Sequence, residues 1–153
     1  MQALPHRYRV KGAGRNTGDI ELTADRLTMI QSAPPAGFDG PGDRWSPETL
    51  LVGAVADCFI LTFRAVAKAS GLSWISLDCD VTGTLDRVDR VTQFTGFDLT
   101  AHLVVPVGVD ADVAQQTLEK AERNCLISKS LKASVALAAT VEIAEPREQK
   151  VPA

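Results

Sequence analysis

Three cysteines, Cys58, Cys79 and Cys125, carry the widest chemical range in this chain. As thiolates they are nucleophiles and metal ligands, and a pair of them can close a disulfide. Cys58 sits in VADCFIL with Phe59 beside it, and Arg64 is the one cation near it in sequence. Read alone, it is as readily a small core hydrophobe as a nucleophile, because free cysteines are among the most buried residues. Cys125, in ERNCLISKSL, stands just ahead of Lys129 and Lys132, and alone it too reads as structural. Cys79 lies between Asp78 and Asp80, whose negative charge raises a thiol pKa and makes it the least reactive of the three. The cysteines contain no C-x-x-C pair, and His6 and His102 stand apart from them, so no metal site is expected.

The elements that must carry these residues follow from local pattern. Arg7 to Lys11 and Asp19 to Ala24 read as two strands of a hairpin, with Gly12, Gly14, Asn16, Thr17 and Gly18 turning the chain and Arg15 at the tip. Residues 32–44 hold three prolines and three glycines and form a loop containing Phe38 and leading to Trp45. Ser46 is a natural N-cap, Pro47 suits the first helical position, and Glu48 suits the positive end of the helix dipole. That helix should run to about Ser70 and stop at Gly71. It is apolar on nearly all sides, as a helix buried at the centre of an assembly is. Residues 74–86 and 94–105 read as a long antiparallel hairpin with a DRVDR connector. A second amphipathic helix opens at Val109 and Asp110 and ends near Asn124, Ser128 is placed to cap a short helical turn, and Val135 to Ile143 reads as a last strand. This order of elements predicts an α+β fold with helices packed on antiparallel sheet.

Composition excludes several function classes. A chain of 153 residues and 16.3 kDa is one domain by size, here residues 1–153 with a polar tail from about 144. Its net charge of −3 does not suit nucleic acid, which demands a basic face. Three scattered cysteines do not make a secreted disulfide scaffold. The N-terminus shows no signal-peptide pattern, and Asp57, Arg64 and Lys68 interrupt the longest apolar stretch, so no membrane span is expected. A cytoplasmic protein with reduced thiols is the expectation.

The segment SPETLLVGAVADCF resembles the hallmark of the OsmC/Ohr superfamily, in which a Pro-Glu pair opens the central helix and a cysteine follows ten residues after the glutamate. The segment around Asn124 and Cys125 is similar to that family's second cysteine motif, and GAGRNTG to its arginine turn. The resemblance in element order covers roughly residues 7–143. It implies antiparallel sheets around a long buried central helix in an intertwined homodimer, and a thiol peroxidase acting on organic hydroperoxides. It further implies Cys58 as peroxidatic cysteine, Cys125 as resolving cysteine, Arg15 as the guanidinium supporting the thiolate, and Glu48 as the carboxylate orienting Arg15. No bound cofactor is implied; the reductant would be an external, lipoyl-type dithiol. The chain departs from the family at Leu126, where proline is common, and at Asp57, where small residues are. A non-catalytic dimer of the same fold, binding an apolar small molecule at the subunit interface, is the alternative.

One argument is independent of the resemblance. Ten helical residues rise about 15 Å, so Glu48 and Cys58 of one chain cannot share a small site. If both act, Cys58 and Cys125 of one subunit must meet Arg15 and Glu48 of another, giving two composite sites per dimer.

Overall fold

The computed structural model describes residues 3–145; the expected polar tail from 146 onward lies outside the described residues. The chain divides into two compact units, Met1–Leu51 and Val52–Ala153.

In the first unit, β1 (Lys11–Ala13), β2 (Ile20–Thr23) and β3 (Ile30–Ser32) form an antiparallel sheet in sequence order. The hairpin with Arg15 in its turn is as expected, although its first strand begins at Lys11 rather than Arg7. β3 has no counterpart in the sequence reading, being three residues without alternation. The Pro/Gly loop holds a single 3-10 turn, Ala36–Phe38. It closes tightly, with the Gly40 N–H donating to the Pro35 carbonyl at 3.1 Å. The loop then returns to β3, because Ala33 N–H donates to the Trp45 carbonyl at 2.9 Å.

Helix α1 spans Pro47–Ser70. Its start is a reciprocal cap: Thr49 N–H donates to Ser46 Oγ at 3.1 Å, and Ser46 N–H donates to Thr49 Oγ1 at 2.8 Å. Its end is a Schellman motif, in which Leu72 N–H reaches the Ala67 carbonyl (3.0 Å) and Gly71 N–H reaches Lys68 (3.3 Å), with Gly71 at φ +69°. By length and composition alone α1 would pass for a membrane-crossing helix. Its buried residues form one stripe, Val55, Phe59, Phe63 and Ala67, rather than the whole circumference, and Asp57, Arg64 and Lys68 are exposed. The expectation of a helix covered on all sides is therefore not met within a single chain.

The second unit is built on β4 (Ser76–Val88), β5 (Val91–Val105) and β6 (Ser134–Ile143), with β5 central. The β4–β5 turn is shorter than the expected connector: Asp86, Arg87 and Val88 pair as strand, and Asp89 (φ 48°) and Arg90 (φ 68°) turn alone. A bulge at Thr95 shifts the register opposite Thr84 and Leu85. The all-antiparallel expectation fails at β6, which pairs with β5 in parallel. The cause is α2 (Ala111–Asn124), whose 14 residues carry the chain back about 21 Å before β6 begins. Asp110 caps α2 by accepting from Asp112 N–H at 2.8 Å. Helix α3 (Leu126–Ser130) follows with Cys125 at its N-cap, so Ser128 lies inside the turn it was expected to cap.

One face of β5 buries Phe97, Leu99, Ala101, Leu103 and Val105, the alternation of a half-covered strand. α2 contributes Ala114, Thr117, Leu118 and Ala121, one face of a helix, and packs on β6. α1 meets the same sheet where Gly83 faces Val52, Phe94 and Phe97, and Phe63 packs edge-on to Trp74 at 5.3 Å.

In the Pro/Gly loop, a Cβ on Gly40 would collide with the backbone carbonyl of Pro34, whereas one on Gly37 meets nothing within 4 Å. Gly40→Ala should cost about 2 kcal/mol and lower the melting temperature by roughly 4–8 °C. Gly37→Ala should shift stability by less than about 0.5 kcal/mol. Calorimetric melts of the two variants check the contrast.

Candidate active site

Cys58 lies at the middle of α1 but off its buried stripe, since adjacent helical positions are turned about 100° and Phe59 is on that stripe. It is half-buried, and Thr62, one turn on, brings its Oγ1 to 3.8 Å from Sγ. Cys125 is fully buried between α2 and α3. Both are free thiols. The fold brings them near enough for each to shift the other's acidity.

The two thiols are pushed apart in acidity. Burial, the largest influence on Cys58, raises its pKa, yet hydrogen bonds from the Ile127 N–H, the Cys125 thiol, Thr62 and the Leu126 N–H outweigh it, so Cys58 lies below its ordinary value. Burial also leads at Cys125 and there it wins. Ser128 opposes it through side chain and backbone, Cys58 reinforces it, and Cys125 lies above its ordinary value. The two thiols are therefore displaced in opposite directions, the order a nucleophile and its resolving partner need. Cys79 on β4 has no such donors; burial and then Asp80 push it up to about 11. That agrees with the expectation that it is the least reactive.

The donors came from a place the sequence did not advertise. The Leu126 and Ile127 amides open α3, and Cys125 places no side-chain cap on them. Arg64, the nearest cation in sequence, is exposed, as is Asp57, which points into solvent about 100° around the helix from Cys58.

Arg15 and Glu48 belong to the first unit. Arg15 is exposed on the β1–β2 turn and forms no ion pair among the described residues. Glu48 is half-buried at the start of α1, lining a cleft of about 330 Å³ whose walls are Ile20, Ala33, Pro34, Pro35, Phe38 and Pro47. Its Oε2 is buried and accepts no hydrogen bond from the described residues. A carboxylate oxygen left so in a single chain is costly, and a guanidinium is the donor that best satisfies it. The pair expected between Arg15 and Glu48 is not made within this chain. α1 is unbroken from Pro47 to Ser70, so the rise of about 15 Å between Glu48 and Cys58 stands. Among the described residues no group of histidines, cysteines and carboxylates could hold a metal.

The family model for OsmC-like proteins matches residues 40–140. Peroxiredoxin OsmC of Escherichia coli is 29% identical over 133 residues, covering 83% of this chain and 92% of that protein. An uncharacterised Bacillus subtilis protein, YmaD, is 29% identical over 129 residues, covering 82% and 84%. Among solved structures, an organic hydroperoxide resistance protein OsmC from Legionella pneumophila aligns over 92% of this chain and 99% of its own, with a TM-score of 0.72 and 26% identity. An OsmC-like protein of unknown function from Vibrio cholerae reaches a TM-score of 0.81 over 89% of this chain and 100% of its own, at 15% identity.

The Leu126 amide can be deleted cleanly. Cys125 has φ −63° and ψ 113°, a conformation that tolerates a following proline, and Leu126 is the first residue of α3, where proline is welcome. Leu126→Pro should raise the Cys58 pKa and slow its alkylation at neutral pH by about three- to tenfold. Leu126→Ala, which keeps the N–H, should leave both unchanged. Thiolate absorbance against pH, in a Cys79→Ser, Cys125→Ser background, reads the difference; identical curves for the two variants would exclude the amide as a cause.

Proposed function

We propose a thiol peroxidase function on the premise that this chain belongs to the OsmC-like protein family. What supports the reading is that the two cysteines matching the family's pair, Cys58 on α1 and Cys125 at the start of α3, are free thiols near enough to act on each other, in a chain similar to a peroxiredoxin. The alternative, an apolar-ligand binder with ordinary core cysteines, gives no account of that convergence.

In this reading the Cys58 thiolate attacks the terminal oxygen of a hydroperoxide and breaks its O–O bond. The alkoxide leaves, takes a proton and becomes an alcohol, and Cys58 becomes a sulfenic acid. The Cys125 sulfur then displaces the sulfenic hydroxyl as water, forming a disulfide. An external dithiol, lipoyl-type by family resemblance, restores both thiols by two exchange steps and is itself oxidised to a disulfide. The amides of Leu126 and Ile127 favour the ionised form of the attacking sulfur. Arg15, oriented by Glu48, polarises the peroxide; a guanidinium stays charged at every working pH.

The same reading makes the protein a homodimer. The helix arithmetic separates Glu48 from Cys58, so a site that uses both needs a second subunit. The apolar walls of the Glu48 cleft favour an organic peroxide over hydrogen peroxide. Recycling by a dithiol suits a compartment that keeps thiols reduced, the cytoplasm.

Titration of thiols before and after one equivalent of cumene hydroperoxide tests the chemistry. The parent should lose two thiols. Cys125→Ser should stop at a sulfenic acid that dimedone traps, and Cys58→Ser should consume peroxide at least about a hundredfold more slowly. A Cys58→Ser protein as fast as the parent would end the proposal. For the assembly, sedimentation equilibrium should find a dimer; a folded monomer at micromolar concentration rejects it.

A further inference from the structure

We infer that Arg44 is a positioning residue, whose ion pair to Asp19 fixes the foot of the turn that carries Arg15. The inference rests on the peroxidase reading and adds to it a residue outside the reacting groups.

An arginine on an exposed turn samples many orientations, and holding it for chemistry costs conformational entropy. Among the described residues Arg15 has no ion pair, so what limits its range is the backbone beneath it. Asp19 ends the turn, immediately before β2. Its Oδ2 accepts from Arg44 Nε at 2.9 Å, and the two side chains are 29% and 39% exposed. By contrast, the local pair of Arg26 and Asp25 is about nine-tenths exposed on both sides, at 3.3 Å. Arg44 is itself held: Nη1 lies 3.1 Å from Asp43, so two carboxylates grip one guanidinium.

The other end of the tie is firm. Arg44 directly precedes Trp45 and Ser46. Trp45 bridges to Ser32 and accepts from Ala33, and Ser46 caps α1 through Thr49. The ion pair therefore runs from the arginine turn to a segment already pinned to β3 and to the head of α1. Asp19 and Arg15 also line one cleft of about 300 Å³, with Gly14, Thr17 and Glu21, so movement of the foot is movement of the site.

The test measures the second-order rate of Cys58 oxidation by cumene hydroperoxide in the full-length protein. Arg44→Gln and Asp19→Asn should each slow it by about fivefold, the upper end for a surface ion pair. The double variant should be no slower than either single one, and Arg44→Lys should recover part of the rate. Arg44→Gln should add nothing on an Arg15→Gln background, an outcome that general loss of stability would not produce. Arg44→Gln as fast as the parent, beside a crippled Arg15→Gln, overturns this inference alone. The same loss with and without Arg15 overturns it too, by showing that Arg44 does not act through Arg15. An Arg15→Gln protein as fast as the parent overturns both this inference and the role given to Arg15.

Discussion

A thiol taken out of water is a poor nucleophile, because burial penalises the charged form that reacts. All three cysteines of this protein meet that penalty, and it is the largest influence on each. The site depends on one segment, residues 125–128, that overcomes it for Cys58 and leaves it standing for Cys125. The two amides that follow Cys125 and the Cys125 thiol serve as donors to Cys58, while Ser128 engages Cys125 itself. One short stretch of chain therefore supplies the second thiol and the donors that lower the pKa of the first.

That arrangement adds to the division of labour expected from the sequence. There, the resemblance made Arg15 the support of the Cys58 thiolate. In the structure, the lowering of Cys58 also has a cause within the unit that holds both cysteines. In the proposed mechanism Arg15 acts on the peroxide oxygens as well, where charge develops as the O–O bond breaks. Amides fixed at the start of α3 act on the sulfur before substrate arrives; a guanidinium on an exposed turn contributes when the turn is in place. The orphaned Oε2 of Glu48 fits this view, as an acceptor prepared for a donor that a single chain does not bring.

Much of this was written locally. The bounds of α1 followed from Ser46, Pro47 and Gly71, because caps act through neighbouring residues. The strand pair β4–β5 followed from its β-branched and aromatic content. What escaped was set by distant parts of the chain or by backbone alone. The parallel pairing of β6 depends on how far α2 carries the chain back, which no pattern within Ser134–Ile143 records. β3 is three residues long and is defined by its partner β2. At the site, Cys58 and Cys125 were legible as a pair through the family resemblance alone, since each by itself reads as core. The donors that separate them were not legible at all: every non-proline residue has an N–H, and only the fold decides where it points.

Leu126 shows why that last point matters. As a side chain it is 66% exposed, which as a substitution for the family's proline suggests a loss of turn shape and little else. As a backbone unit it carries an N–H that proline lacks, and that N–H is among the donors that lower Cys58. The residue therefore trades a pre-shaped turn for one more hydrogen bond to the reacting sulfur. Cys79 supplies the contrast from within the same molecule. It has the same chemistry and a carboxylate neighbour, Asp80, much as Cys58 has Asp57, but no amide is turned toward it, and it is held at about 11. What divides the lowered thiol from the raised one is the direction of a few backbone amides, more than the charges beside them in sequence.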